Sequence, residues 1–285
     1  MITLQSMMNR FGDLPTLPVV ATQVSELIND PNSSTGQIAD LLKKDQALTA
    51  KVLKLANSSY YSIPGGVSDV NKALTYLGFN TLSQLVLSVS VVGLFKDRGD
   101  SSFSFSEFWK HALGVAVAAE ALSKRVPKLK PQEAFTCGLL HDVGKLVLYT
   151  LEPVIFAQAI NLSQERQCSM LDTELSLQVP THVELGEAVV KQWKFPSVIG
   201  LAIHHHHDSW VAVNKLPDHQ RSMVQVVWFA NQMALHRHTG HSGDYSGGQY
   251  NTLMYNQLGI PEKDIEALEA EIVDNLDKAG AFLHA

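Results

Sequence analysis

Apolar residues recur at every third or fourth position along nearly all of this 285-residue chain, whereas strict apolar/polar alternation is short and scarce. A period near 3.6 lays one apolar stripe along a helix and cannot give a strand a single greasy face. The chain is therefore predicted to be all-α. Val20, Val24 and Leu27 make one stripe, stopped at Asp30-Pro31, and Ser34 or Thr35 can cap the next, which carries Ile38, Leu41 and Leu42. Leu48, Val52, Leu55 and Ala56 line a third stripe, ended by the breaker Ser62-Ile63-Pro64-Gly65-Gly66. Two more helices are predicted over 70–77 and 81–95.

The polar, turn-rich stretch 96–104, KDRGDSSFS, is the predicted boundary between two helical lobes. Beyond it the periodicity predicts helices over 107–124, 132–148, 153–165, 170–177, 183–194, 196–206 and 223–238, then a Gly/Ser-rich loop over 239–249. Acidic residues after Pro261 suit a helix N-terminus, and Ile265, Leu268, Ile272 and Leu276 give the last amphipathic helix. The expected organisation is one lobe over 1–98, a second over 99–240, and a loop and C-terminal helix over 241–285 packed on the body.

Composition narrows the function classes. A net charge of −6 and a pI near 6.0 argue against nucleic acid as a partner, since phosphate neutralisation needs Lys and Arg clustered on one face. The nearest approach, Lys124, Arg125, Lys128 and Lys130 around Pro127, reads as a solvated helix end. The stretch 77–95 is the most apolar, but Asn80, Gln84 and several serines make it a core helix, not a membrane span. Cys137 and Cys168 have no C-x-x-C spacing and imply no disulfide framework; with no signal pattern in MITLQSMMNR, a cytoplasmic location is expected.

Against this ordinary background stands a series of nitrogen and oxygen ligands. Glu107 and His111 lie one turn apart and leave the same helix face, a spacing that also suits a plain solvated pair. His141-Asp142 sits inside Gly138-Leu139-Leu140-His141-Asp142-Val143-Gly144-Lys145, where ionisable groups are costly unless paired or metal-bound. Adjacent helical residues diverge by about 100°, so both could serve one cluster only close to the helix, with Asp142 able to bridge two ions; the bland reading is capping at a helix end. Lys145, one turn onward, could meet a substrate phosphate. His182 opens a helix. In the run His204 to His207 four imidazoles point in different directions; geometry favours His204 with His207, and at least two of the four are expected at the surface.

Together these residues resemble the HD superfamily of metal-dependent phosphohydrolases, and specifically the branch of the HD-GYP cyclic-dinucleotide phosphodiesterases and the HDOD signalling domains. The HDOD likeness covers most of the chain through Leu14-Pro15-Thr16-Leu17-Pro18, Ile28-Asn29-Asp30-Pro31, Lys44-Asp45-Gln46-Ala47-Leu48-Thr49, Leu55-Ala56-Asn57-Ser58 and Ala73-Leu74-Thr75-Tyr76-Leu77-Gly78. It implies two helical lobes, the second an HD-type bundle. It also implies a metal set of Glu107, His111, His141, Asp142, His182, His206 and His207, with Asp142 and Lys145 in the catalytic role and the double histidine on His206 and His207, not His204. Asn231 completes that set in the place where the resemblance puts a closing Asp, although a neutral amide is the poorer ligand. The G-x-G-Y-P segment is missing after the double histidine, where Asp208-Ser209-Trp210-Val211 runs on.

The resemblance implies a bacterial signal-transduction protein, either a metal-dependent phosphohydrolase or a non-catalytic interaction module. Imidazole with carboxylate suits Fe, Mn, Zn or Mg and does not distinguish them. The implied partners are a phosphorylated small molecule or cyclic dinucleotide, or a signalling protein, with no membrane. A third idea, an oxygen- or redox-sensing iron site between helices, would use the same ligands.

Overall fold

In the computed structural model, residues 2–97, 99 and 103–284 are described, and no strand occurs among them. The first helices are α1 (Leu4–Met8), α2 (Val19–Asn29), α3 (Thr35–Leu42), α4 (Gln46–Ala56) and α5 (Val70–Val92). Then come α6 (Phe105–Ser123), α7 (Pro131–Leu140), α8 (Val143–Leu151), α9 (Pro153–Arg166), α10 (Met170–Ser176), α11 (His182–Gln192), α12 (Ser197–His205), α13 (Trp210–Val213) and α14 (Asp218–His236). The chain closes with α15 (Thr252–Gln257) and α16 (Ile265–Ala279). Of the predicted boundary 96–104, residues 98 and 100–102 lie outside the described residues.

The stripes read from the sequence turn inward as their spacing requires. Val20 and Val24, Ile38 and Leu42, and Val52 and Leu55 are buried in the half where α2, α3 and α4 pack on α5. α5 is the spine of this half, packing on α2, α3, α4 and α7. Gly78, at φ 76° and ψ 170°, breaks it, so the predicted helices over 70–77 and 81–95 are two limbs of one bent element. By length and composition α5 is also the one helix among the described residues that could cross a membrane. Its second limb is buried from Leu82 to Val91 inside the core.

In the other half α6 is central, packed by α7, α14 and α16, while α11 packs on α8 and α12. One continuous apolar cluster runs from Met7 to Phe282 and joins the halves.

The predicted helix over 132–148 is corrected. It is two helices, α7 and α8, broken at His141 and Asp142. Each flank of the break is pinned by a glycine against another backbone: a Cβ on Gly138 would lie 2.8 Å from Ala116 Cα, and one on Gly144 would lie 1.8 Å from the His182 carbonyl oxygen. α7 is thus held on α6 and α8 on α11, directions that one straight helix cannot satisfy. His141 eases the break, because its Nδ1–H donates to the Gly138 carbonyl at 2.7 Å, the acceptor a continuing helix would have used.

Candidate metal centre

The break is what aims the chemistry. His141 and Asp142 no longer diverge as helical neighbours, and His141 Nε2 stands 3.3 Å from Asp142 Oδ2. Onto the same carboxylate converge His206, whose Nε2 is 3.2 Å from Oδ1, and His182, whose Nε2 is 3.6 Å from Oδ1. His207 closes this side, its ring 4.2 Å from that of His206 and 5.0 Å from that of His182. His111 reaches in from α6 beside His141, with ring centroids 5.4 Å apart. Asp142, His182, His206 and His207 form one group whose ligand atoms lie within 4.8 Å of one another; His111, His141 and Asp142 form a second. Asp142 belongs to both.

The histidines are oriented by their far nitrogens. His141 and His206 each give Nδ1–H to a backbone carbonyl, Gly138 at 2.7 Å and Ile203 at 2.6 Å. His182 gives Nδ1–H to the buried carboxylate of Glu174 at 2.7 Å, and its backbone N–H donates to the same oxygen at 2.9 Å. A capping box of Thr181 and Glu184 starts α11 just before His182 and fixes where its ring begins. With Nδ1 carrying the proton in the neutral ring, Nε2 is a bare lone pair. Three such lone pairs therefore face a carboxylate that also has only lone pairs to offer. Nε2 of His141, His182 and His207 has no hydrogen-bond partner.

Charge reinforces this. Burial lowers His111 and His206 each to about 3, and burial together with His206 and His182 sets His207 well below the usual histidine value, so the rings are neutral near pH 7. Burial on its own would raise Asp142, but the Lys145 ammonium holds it well below the usual carboxylate range. Lys145, 1% exposed, donates from Nζ to Asp142 Oδ2 at 2.8 Å and to Ser242 Oγ at 3.2 Å. The predicted phosphate contact of Lys145 is, in this arrangement, a contact with Asp142.

Two of the expected ligands stand differently. Asn231, buried on α14, meets His111, with Oδ1 3.1 Å from Nε2, so it joins the edge of the cluster. Glu107 does not join it. It shares a helix face with His111 but sits near the start of α6, half-exposed, its carboxylate 3.7 Å from Lys110. The loop 239–249 lies against the backbone of this turn of α6, with the His241 N–H donating to the Glu107 carbonyl at 2.9 Å. In the histidine run, His204 pairs with Glu187 and His205 with Asp208, both at 2.7 Å on the outer side, while His206 and His207 turn inward.

Two contributors are absent from the sequence reading. Glu174 is wholly buried, yet it follows the buried Met170 and Thr173 at helical spacing, so its place on an apolar face was readable. Ser242 lies in the Gly/Ser-rich loop, where periodicity carries no signal.

The residues fit a cation. Ligating histidines characteristically give their second ring N–H to a carbonyl or carboxylate, and here three do so while their Nε2 atoms converge. An ion there would satisfy lone pairs that nothing else in the fold satisfies. The centre is also largely closed, since His141, His182 and His206 are all 0% exposed and the 239–249 loop lies against it through Ser242, with His207 partly exposed at its edge.

Comparison with known proteins places this arrangement in a family context. The sequence profile of the HDOD domain matches residues 14–209. An HDOD domain protein of unknown function from Geobacter sulfurreducens superposes with a TM-score of 0.79 at 28% identity, covering 97% of each chain. A Shewanella amazonensis SB2B protein provisionally named a metal-dependent phosphohydrolase superposes with a TM-score of 0.65 at 23% identity, covering 98% of this chain and 97% of its own, a likeness of fold. An uncharacterized protein of Treponema pallidum (strain Nichols) is 26% identical over 229 residues; the match takes in 79% of this chain but 43% of that relative, so the chain spans less than half its length.

Proposed function

The chain belongs to the HDOD family, and we propose that its buried centre binds one or two divalent metal ions through His111, His141, Asp142, His182, His206 and His207 and hydrolyses a phosphate ester or phosphodiester in signal transduction. One observation carries the proposal: three imidazoles anchored through Nδ1 aim bare Nε2 atoms at a single carboxylate. Bound there, such an ion would acidify water and neutralise phosphate charge. Asp142 is the shared ligand, and Glu174 keeps His182 in the ligating tautomer. Lys145 has three donors and uses two, on Asp142 and Ser242, so withdrawal of the 239–249 loop would free it for a phosphate oxygen. A cyclic dinucleotide or a phosphorylated small molecule fits this chemistry.

A second reading, a non-catalytic signalling module with a structural ion, is favoured by the largely closed centre and by Asn231 in place of a carboxylate. Untagged protein loaded with Mn or Fe and offered an activated phosphodiester separates the two. Turnover that disappears in Asp142→Asn, together with its metal, is the expected result. Bound metal without turnover supports the second reading, and normal metal content in Asp142→Asn rejects the site.

A further inference from the structure

A cavity of about 250 Å³ lies away from the metal centre, where the second limb of α5 faces α6 and α7. Thr81, Gln84 and Ser88 line it from one face of α5, spaced by three and then four residues. Gln84 is 5% and Ser88 1% exposed, and neither Gln84 Oε1 nor Ser88 Oγ has a hydrogen-bond partner. A helical serine often satisfies its hydroxyl on the carbonyl one turn back. Ser90 does this on Val86 at 2.7 Å, whereas Ser88 does not. A buried polar atom left unpaired costs about 1–3 kcal/mol, so an occupant that bonds both recovers that loss.

Tyr60, Tyr61, Tyr76 and Phe135 give the other walls aromatic surface, beside Gln132 and Asn275. Tyr60 lies 5.3 Å from Tyr61 and 5.8 Å from Phe135 between ring centroids, and its hydroxyl donates to Glu120. At the rim the charges cancel in two pairs, with Lys124 Nζ 3.3 Å from Glu120 and an Arg125 guanidinium nitrogen 2.8 Å from Glu271. No ionised group is left over for a charged ligand. A carboxamide matches the paired donor and acceptor on a nucleobase edge, and aromatic faces accept any base.

We propose that this cavity binds a flat, uncharged heterocycle of nucleobase size, hydrogen-bonded at its edge by Gln84 and Ser88 and packed against Tyr60 and Tyr61. Such a ligand touches α6 and α7, the helices that carry His111 and lead to His141. The site is independent of the metal centre and stands or falls without it.

Titration calorimetry and thermal melts of the full chain with adenine, guanine, adenosine and guanosine test the assignment. At least one should bind and raise Tm with concentration. Gln84→Met should weaken it roughly tenfold or more and Ser88→Ala by less, with metal content unchanged. Both variants should melt no lower than the parent when free of ligand, since each deletes an unpaired polar group. No binding by any of the four at about 1 mM, or binding that both substitutions leave intact, overturns the proposal.

Discussion

The two halves of the molecule bury polar side chains in opposite ways. Up to α5 the buried polar residues are Ser25, Ser83, Gln84, Ser88 and Ser90, all uncharged. Every buried ionisable side chain among the described residues, from His111 to Asp244, lies beyond them. An uncharged hydroxyl or amide can be taken into a core for a modest cost, whereas each buried charge costs several kcal/mol unless paired. The first half thus holds together by shape and apolar area. The second concentrates ionisable groups around Asp142 in an arrangement that packing alone does not explain, which is why the chemistry is assigned there.

Acid should break this contrast most strongly. His111 and His206 are lowered to about 3 in the fold, against about 6.5 in an unfolded chain, so below pH 6.5 the unfolded state binds more protons. Their contribution is complete above about pH 6.5 and declines as pH falls toward 3, by up to about 1.4 kcal/mol per unit for each ring. Melting of metal-stripped protein followed from about pH 7.5 down to about pH 4 should show Tm falling steeply below 6.5; a flat profile would mean the rings are not held neutral. Next in size is Leu55→Ala, in the uncharged half. Leu55 is fully buried in α4, and its truncation should cost about 2–5 kcal/mol in denaturant unfolding while leaving metal stoichiometry unchanged. Loss of metal in that variant would show that the halves are not separable. The smallest effect expected is from Glu174→Gln, which removes the carboxylate behind His182 and should weaken metal affinity by about 10–100-fold in a chelator competition. Unchanged affinity would remove Glu174 from the account.

Much of this was legible in the sequence, for identifiable reasons. Helical periodicity located most helices because each carries a continuous buried stripe, as with Val52 and Leu55 in α4. The short α1, α13 and α15 were not found, being too brief to show a period. The break at His141 was hidden because its cause lies in other elements: Ala116 and the His182 backbone crowd Gly138 and Gly144 from α6 and α11. In the histidine run, spacing on one helix favoured His204, but α12 ends at His205 and the chain turns His206 and His207 inward. The family resemblance puts the pair on His206 and His207. Glu107 marks the limit of both, since a shared face with His111 does not decide which end of that face the core covers.

The direct test is anomalous diffraction from crystals of untagged protein grown without added metal, collected across the Mn, Fe and Zn edges. A peak bonded to Asp142 Oδ1 or Oδ2 and to Nε2 of His182 and His206 is expected. Refined density showing those imidazoles hydrogen-bonded only to water or to one another, with no anomalous signal even after soaking in Mn, would contradict it.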